Sequence, residues 1–253
     1  MSSARILKTA VLILLCISLC QSIQSQNQAN SPPFPVGEKL SFRVSWSNTI
    51  DAGSADLTVG YGDSKNKDLL RLELKAVTNR NLIESYIFKD EFVSYFDLGL
   101  SAPRSFHKNF TEKSRVVDEK VEFDQVNRYA VVTRSKKLAR KMSIDTGTQD
   151  PISSLYAMRT IALKAGMTLS FPLMDGVRTF QLEARVIGQE LITTKLGSFN
   201  CHRTEVRIRP VDSSSSERVI VVWFSNDQRR LPVLATFSLP VGSAVIELIA
   251  RTP

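Results

Sequence analysis

Hydrophobic and polar residues alternate along most of the chain beyond residue 35. The first alternating segment has an apolar residue at every second position: Leu40, Phe42, Val44 and Trp46. The same pattern returns in residues 54–61 and 70–76, and turn-forming residues occupy 48–53 and 62–67. A period of two is typical of a β-strand that buries one face and exposes the other. This part of the chain is therefore predicted to form antiparallel strands joined by turns.

Alternating segments of this kind continue almost to the C-terminus. We predict further strands at residues 84–96, 105–111, 115–123, 128–134, 178–188, 198–208, 218–224, 231–239 and 243–249. Together they make about a dozen strands with turn signals between them. Runs of strands without interleaved helices indicate one antiparallel, mainly β domain, which we assign to residues 36–253.

Residues 150–166 break the alternation and predict one main α-helix near 151–165. Asp150 is a favourable N-cap, and Pro151 suits the first helical turn. Gly166 suits the position just beyond the end of the helix. The spacing of the apolar residues is compatible with a helical stripe: Ile152, Leu155, Tyr156 and Leu163.

A sheet of about a dozen strands, each apolar on one side, must curl, split or close. We therefore expect a single large curved antiparallel sheet, in the form of a half-barrel, a spiral or an open barrel. One short helix covers only part of its concave side. Either the sheet folds over on itself, or it leaves an apolar groove for a ligand.

The N-terminus has the composition of a secretory signal peptide, which we assign to residues 1–25. The positive residues Arg5 and Lys8 precede an apolar run over residues 10–20. This run is shorter than the roughly 20 apolar residues that span a bilayer, and it is followed by small polar residues, among which Ser22 and Ser25 are candidate cleavage sites.

The residues around the predicted cleavage site favour release over lipid anchoring. Leu19 precedes Cys20, at a position where lipoprotein processing requires a small residue. Residues 26–35 are polar and rich in proline, and we predict that they form a disordered leader. The protein is therefore expected to be exported, with the periplasm as its location. Beyond Ser25 we find no segment long enough for a membrane helix, so any association with a membrane is expected to be peripheral.

Composition and charge narrow the classes of partner. The chain of 253 residues is 43% hydrophobic and 23% charged, as in globular proteins. Its net charge of +8 becomes +6 without Arg5 and Lys8. A basic exported protein meets anionic lipid headgroups and envelope polymers before nucleic acid. After cleavage only Cys201 remains, so an internal disulfide is excluded.

A cluster of cations lies just before the predicted helix. Five basic residues fall within residues 133–142: Arg134, Lys136, Lys137, Arg140 and Lys141. Such a run attracts anionic lipid or polymer, and it is also typical of a solvated loop. Because aromatic residues do not interleave with it, it does not indicate nucleic-acid binding.

The Asp227–Pro232 segment admits two interpretations. Arg229 and Arg230 are candidates for an anion clamp, since guanidinium groups bind carboxylate and phosphate. The segment also reads as a hairpin turn followed by a strand that starts near Pro232. Together with Trp46 and Trp223, the two arginines are the candidate ligand-binding residues.

The sequence does not indicate catalysis or a metal site. Cys201 and His202 pair a thiol with a base, but adjacent strand residues point to opposite faces. Two histidines and one mature cysteine without ligand spacing do not suggest a transition metal. Asp90 lies within an aromatic strand face, where it is a perturbed acid, an ion-paired residue, or a residue that a β-bulge turns outward. We therefore predict no catalytic residue, no metal and no cofactor.

Four segments resemble a family of bacterial exported proteins known as domain of unknown function 3108. They are VGEKLSFRVSWSNTIDAGSADLTV, DPISSLYAMR, LGSFNCHRTEV and DQRRLPVLATFSLPVGSAVIEL, in this order between Pro35 and Ile249. The resemblance implies an exported bacterial envelope protein rich in β-strands, and it does not imply a particular activity. A looser likeness to curved-sheet carriers of envelope lipoproteins is one of fold alone.

Three functions are compatible with these observations. The first is a non-enzymatic envelope protein that binds a lipid, an acyl chain or a peptide segment in a concave β-sheet. The second is an assembly partner with a self-packed core that docks through an edge strand or the basic run. The third is a hydrolase of envelope polymers.

Overall fold

The computed structural model describes residues 34–47, 49–63, 65–79, 88–112, 115–135, 137–212, 216–238 and 242–252. The predicted signal peptide, most of the predicted leader and Lys136 lie outside these ranges. The described residues belong to one compact unit.

Fourteen strands form one sheet. Their bounds are β1 Lys39–Trp46, β2 Ile50–Tyr61, β3 Leu69–Thr78, β4 Phe88–Asp97, β5 Ala102–Glu112, β6 Arg115–Asp124, β7 Tyr129–Arg134, β8 Arg140–Ser143, β9 Thr168–Asp175, β10 Arg178–Thr194, β11 Gly197–Pro210, β12 Arg218–Ser225, β13 Pro232–Ser238 and β14 Ser243–Thr252. The predicted mainly β fold is confirmed.

The sheet is antiparallel throughout and open. Its strand order is β8-β7-β6-β5-β4-β3-β2-β1-β14-β13-β12-β11-β10-β9. The first and last strands pair at the centre, from Lys39 opposite Thr252 to Trp46 opposite Ala244. The described strands therefore form two wings, β1–β8 and β9–β14, whose outer edges are β8 and β9.

Two of the fourteen strands were not predicted, and both are edge strands. β8 lies inside the basic run that suggested a solvated loop, and its four residues are largely exposed. β9 contains Pro172, which cannot donate a backbone hydrogen bond and obscures a strand pattern. An edge strand tolerates proline on its outer side. There the backbone oxygen of Pro172 accepts a hydrogen bond from the amide of Gln149 at 2.8 Å.

The helix α1 spans Pro151–Thr160 and begins as predicted. Oδ1 of Asp150 accepts hydrogen bonds from the amides of Ile152 and Ser153, both at 2.8 Å. The predicted C-terminal end at 165 is wrong, since Ile161 is already extended. The carbonyl oxygen of Arg159 accepts a hydrogen bond from Nε of Arg230, so a tertiary contact occupies it at the end of the helix.

The helix fills part of the concave side, between the two wings. It packs against β3, β4 and β5 of one wing and against β9 of the other. One buried apolar cluster is built mainly by β1–β7 with α1, and a second mainly by β9–β12 with α1. Leu155 contacts both clusters.

The ordered fold begins earlier than the predicted leader allows. Phe34 falls within the predicted leader 26–35, yet it is only 2% exposed. Its ring packs edge-on against Tyr156 with the centroids 4.6 Å apart. The end of that segment is therefore part of the core.

Candidate functional site

The two wings and the helix line a partly open cavity of about 720 Å³. Small-molecule sites in proteins typically have volumes of about 300–1,000 Å³. The cavity lies between the two buried clusters, so both wings and α1 contribute to its wall. Of the two predicted outcomes for the concave side, the one with a groove is realised over this region.

The wall of the cavity is mainly apolar. One wing contributes Phe92, Phe106, Phe110 and Val117, and the helix contributes Leu155 and Met158. The other wing contributes Leu173, Val177, Phe180, Leu182, Val206, Ile208, Ile220 and Val222. Within β10, β11 and β12 the lining residues are separated by two positions, which is the spacing of one strand face. The alternation read from the sequence therefore produces the apolar wall directly.

Charged side chains also line the cavity. Four of them are basic and two are acidic: Lys108, Arg134, Arg178, Arg218, Asp90 and Asp175. The lining therefore combines an apolar body with a polar part that carries an excess of positive charge. This is the composition expected of a site for an amphiphile.

An ion-pair network joins the two wings beside the cavity. Nζ of Lys108 on β5 lies 2.5 Å from Oδ1 of Asp175 on β9 and 3.3 Å from Oε1 of Glu119. Arg134 lies 2.5 Å from the other oxygen of Glu119, whose side chain is 1% exposed. We call these four residues the clasp. They connect the wings close to the open edges of the sheet.

Gly176 lets the β9–β10 turn approach the clasp closely. Its φ of 64° lies in the left-handed region that favours glycine. A Cβ atom at this position would lie 1.8 Å from Oε1 of Glu119. Any side chain here would therefore push the turn away from β6.

Arg178 and Arg218 differ from the other two cations. Both are exposed at the starts of β10 and β12. Neither forms an ion pair with any residue that the structure describes. The positive charge of Lys108 and Arg134 is compensated within the clasp, whereas the two arginines take no part in it.

Arg229 and Arg230 lie elsewhere, at the C-terminal end of α1. Nε and Nη2 of Arg229 hydrogen-bond Asp227 in the same turn, at 2.8 and 2.5 Å. Arg230 donates to the carbonyl oxygen of Arg159. The segment is therefore the turn of the β12–β13 hairpin, and it packs against the end of the helix. Neither arginine contributes to the cavity lining described above.

The helix end is fixed by a buried ion pair. Arg159 donates to both carboxylate oxygens of Glu38, at 2.7 and 2.8 Å, and the two side chains are 1% and 2% exposed. The guanidinium carbon lies 5.2 Å from the ring centroid of Phe34 and 5.0 Å from that of Tyr156. Three of the segments that resemble the family therefore meet at one structural centre.

The two tryptophans also lie away from the cavity lining. Nε1 of Trp223 donates to Oε2 of Glu190 at 2.7 Å, and the guanidinium of Arg203 is 6.0 Å from its ring centroid. Trp46 is half-buried at the end of β1 against Gly242. The structure does not bring these rings together with Arg229 and Arg230 into one site.

The basic run divides between the cavity and the sheet edge. Arg134 lines the cavity and belongs to the clasp. Lys137, Arg140 and Lys141 are exposed on the β7–β8 hairpin, and Nζ of Lys141 lies 3.6 Å from the ring centroid of Tyr129. Positive side chains on an edge strand oppose edge-to-edge pairing with another sheet.

The thiol is buried, and each of the two imidazoles is bonded to a neighbouring side chain. Cys201 is fully buried, and burial raises the pKa of its thiol to about 11. His202 bonds Oδ1 of Asn226 at 2.9 Å, and His107 bonds Asp118 at 2.6 Å. Among the described residues, no group of three or more His, Cys, Asp or Glu side chains is arranged to hold a metal ion. Asp90 faces the cavity.

The sequence contained a signal for the cavity cations that the predictions did not use. Arg178 is in phase with Phe180 and Leu182, and Arg218 is in phase with Ile220 and Val222. A charged residue that continues an apolar strand face marks the place where that face reaches solvent. Lys108 differs, because it lies between Phe106 and Phe110 within its strand face and its side chain is only 12% exposed.

The one helix among the described residues, α1, is ten residues long. Within the described part of the chain, no helix has the length and apolar character needed to cross a bilayer.

Comparison with solved structures supports the fold. A β-barrel-like protein from Brucella abortus, of the domain of unknown function DUF1849, is similar with a TM-score of 0.59 and 13% identity. The match covers 86% of this chain and 98% of that chain.

Two other matches have TM-scores too low to show a shared fold. A DUF1089 protein from Pseudomonas aeruginosa gives 0.38 at 10% identity, with 71% of this chain and 87% of that chain covered. A protein described provisionally as a lipoprotein, from Parabacteroides distasonis, gives 0.39 at 13% identity over 87% and 98% of the two chains.

Comparison with sequences identifies the family but adds no activity. No curated protein matches this chain. The model of a family described as "Protein of unknown function (DUF3108)" matches residues 41–249, which include all strands from β2 to β13. The chain belongs to this family, as the four segments in its sequence indicated.

Proposed function

We propose that the protein is an exported, non-enzymatic component of the cell envelope that binds the apolar chain of an amphiphile in its cavity. The observation that carries this proposal is the apolar cavity of about 720 Å³ between the wings and α1. Export to the periplasm is supported by the signal-peptide pattern of residues 1–25.

The driving force would be hydrophobic burial. Moving one methylene group from water into an apolar site contributes about 0.8 kcal/mol. A chain of eight methylene groups therefore gains about 6 kcal/mol before the cost of its immobilisation. The lining supplies aromatic and aliphatic groups for this purpose.

The chemistry of the described residues, in the cavity and outside it, favours binding over catalysis. Lys108, Arg134, Glu119 and Asp175 are engaged with one another in the clasp. Cys201 is buried, with a thiol pKa raised to about 11, so a thiolate nucleophile is disfavoured at neutral pH. Retention of a ligand without a reaction is the function that these residues support best.

A fluorescence titration tests the proposal. N-phenyl-1-naphthylamine is neutral at pH 7 and fluoresces strongly in apolar sites, so its intensity reports occupancy of the cavity. We expect saturable binding to the purified protein, and loss of binding in Ile220→Trp, because Ile220 lines the cavity. Val219→Trp is the matched control, since Val219 is 38% exposed and does not line the cavity.

Native mass spectrometry of the purified protein gives an independent readout. A co-purifying amphiphile that is absent from Ile220→Trp would support the proposal. An empty protein that also leaves the fluorophore dark would refute it. That result would favour the assembly-partner hypothesis, in which the exposed edge strand β8 and Leu138, which is 96% exposed, provide a docking surface.

A further inference from the structure

We infer that the amphiphile carries an anionic oxygen headgroup, a carboxylate or a phosphate, and that Arg178 and Arg218 bind it. This inference rests on the proposed function, because it concerns the polar end of the same ligand. It specifies the charge of the ligand's headgroup and the two residues that bind it, whereas the proposed function concerns only the apolar wall.

The cations of the clasp are already neutralised. Lys108 contacts both Asp175 and Glu119, and Arg134 contacts Glu119. A ligand headgroup would have to displace a protein carboxylate to reach either of them. The clasp therefore shapes the cavity but is a poor anchor for a second anion.

An anion that binds Arg178 or Arg218 would not have to displace a protein carboxylate. Neither forms an ion pair within the described part of the chain, although both line the cavity. A guanidinium group offers a planar set of donors that matches two oxygens of a carboxylate or phosphate. Beside an apolar wall its attraction for an anion is also less screened than in open water.

The topology brings the two arginines to the same end of the wing. β10 and β12 both pair antiparallel with β11, so they run in the same direction, and each begins with its arginine. Through Ile208 of β11, Arg218 lies level with Leu182 of β10, four residues beyond Arg178. The two Cα positions are therefore roughly 10 Å apart across the sheet and about 13 Å apart along the strands, so a headgroup that both arginines contact would lie between them. The apolar lining of each strand continues inward from its arginine, through Phe180 in β10 and through Ile220 in β12. A chain in the cavity would thus lead outward to both guanidinium groups.

One acidic residue, Asp90, faces the cavity from the opposite wing. Its presence makes a cationic headgroup the alternative that the experiment must exclude. The two arginines outnumber it, which is why we expect the preference to be for an anion.

A displacement assay tests the inference. Ligands with one common twelve-carbon chain would compete with N-phenyl-1-naphthylamine below their micelle concentrations: dodecanoate, dodecyl phosphate, dodecyl maltoside and dodecyltrimethylammonium. We expect the two anions to bind at least about tenfold more tightly than the neutral ligand, as hydrogen bonds to charged groups allow. The ratio of dodecanoate to dodecyl phosphate shows which anionic group is preferred.

A double variant and its control locate the effect. In Arg178→Gln/Arg218→Gln the affinity for both anions should fall about tenfold or more, to that of the neutral ligand. The fluorophore and dodecyl maltoside should bind as before. Arg185→Gln/Arg251→Gln removes two exposed arginines that do not line the cavity, and it should keep the preference. Arg185 lies on the same strand as Arg178 but on its outer face.

The outcomes separate the two proposals. Equal affinity for anionic and neutral ligands, a preference that survives in the Arg178→Gln/Arg218→Gln variant, or tightest binding of the cationic ligand would each overturn the anion site and leave the apolar site intact. Absence of fluorophore binding to the unaltered protein would overturn both. Loss of the anion preference in the first double variant alone would support both.

Discussion

Removal of the buried cation at the end of α1 should destabilise the fold strongly. In Arg159→Met the carboxylate of Glu38, 2% exposed, would lose two hydrogen bonds of 2.7 and 2.8 Å and its only ionic partner among the described residues. The oxygen of Arg229 would also lose contacts at 3.3 and 3.4 Å. Breaking a buried pair from one side typically costs about 3–5 kcal/mol, because the remaining charge is uncompensated.

The magnitude can be measured by urea unfolding and by calorimetry. For a domain of this size each 1 kcal/mol shifts the Tm by about 2–4 °C, so the expected decrease is roughly 6–20 °C. Trp46 and Trp223 provide fluorescence probes outside the site of the change. The free energy of unfolding, compared at a constant m-value, gives the cost directly.

A more exposed pair of similar geometry is the control. Arg43 and Glu247 join β1 to β14 at 2.6 Å, and their side chains are 36% and 15% exposed. Arg43→Met should therefore cost clearly less than Arg159→Met, because water solvates the remaining carboxylate in part. The double variant Glu38→Gln/Arg159→Met should recover part of the loss, since it leaves no buried carboxylate. If Arg159→Met costs no more than Arg43→Met, the assignment of this pair as a structural centre is refuted.

Three further predictions concern the helix cap, the thiol and the clasp. Burial raises the pKa of Asp150 to about 6. The variant Asp150→Asn retains a capping oxygen but does not titrate. Its free energy of unfolding, measured in urea, should therefore rise relative to that of the unaltered protein between pH 4 and pH 6. Cys201, 0% exposed, should react with a thiol reagent in urea at least about tenfold faster than in the native protein, by absorbance. Gly176→Ala should lower the free energy of unfolding by about 1–3 kcal/mol more than Gly166→Ala, because only the first adds a clash with Glu119.

The sign of the Asp150 effect follows from proton linkage. The folded protein retains the proton on this carboxyl group up to about pH 6, whereas the unfolded chain loses it near the ordinary value of 3.8. The stabilising contribution is complete below that ordinary value and is lost as pH rises through 6. The difference between the two proteins should therefore change by on the order of 3 kcal/mol across this window. A constant difference from pH 4 to 7 would contradict the assignment.

The predictions for the Cys201 thiol and for Gly176 can each be contradicted by a single result. Rapid labelling of Cys201 in the native protein would mean that its surroundings open readily. Equal costs for the two glycine variants would mean that the β9–β10 turn does not rest on Glu119. Both glycines have positive φ, 64° for Gly176 and 82° for Gly166, so the backbone penalty is matched.

Comparison of the predicted and observed elements shows which of them can be predicted from local sequence patterns alone. Every predicted strand corresponds to a strand of the sheet, because alternation is a property of neighbouring residues, and only the edge strands β8 and β9 were not predicted. The N-terminus of α1 was correct for the same reason, since Asp150 caps amides two and three residues later. The C-terminus was wrong because a residue 71 positions away, Arg230, bonds the carbonyl of Arg159.

The residues of the candidate site, in contrast, could not be recognised from local sequence patterns. Arg229 and Arg230 attracted attention as an adjacent pair, but their partners are in the same turn and at the end of the helix. Arg178 and Arg218, forty residues apart, did not stand out in the sequence. Their availability becomes visible only when the partners of Lys108 and Arg134 are known.

The sequence by itself determined an antiparallel β-sheet with one apolar face and one helix, since strand faces and helix caps are set by residues within a few positions of each other. Only the tertiary structure decided that the concave side keeps a cavity, and which cations remain uncompensated around it. Whether an apolar face is filled depends on how far the two wings stand apart. That distance is fixed by contacts between remote residues, such as Lys108 with Asp175 and Glu38 with Arg159.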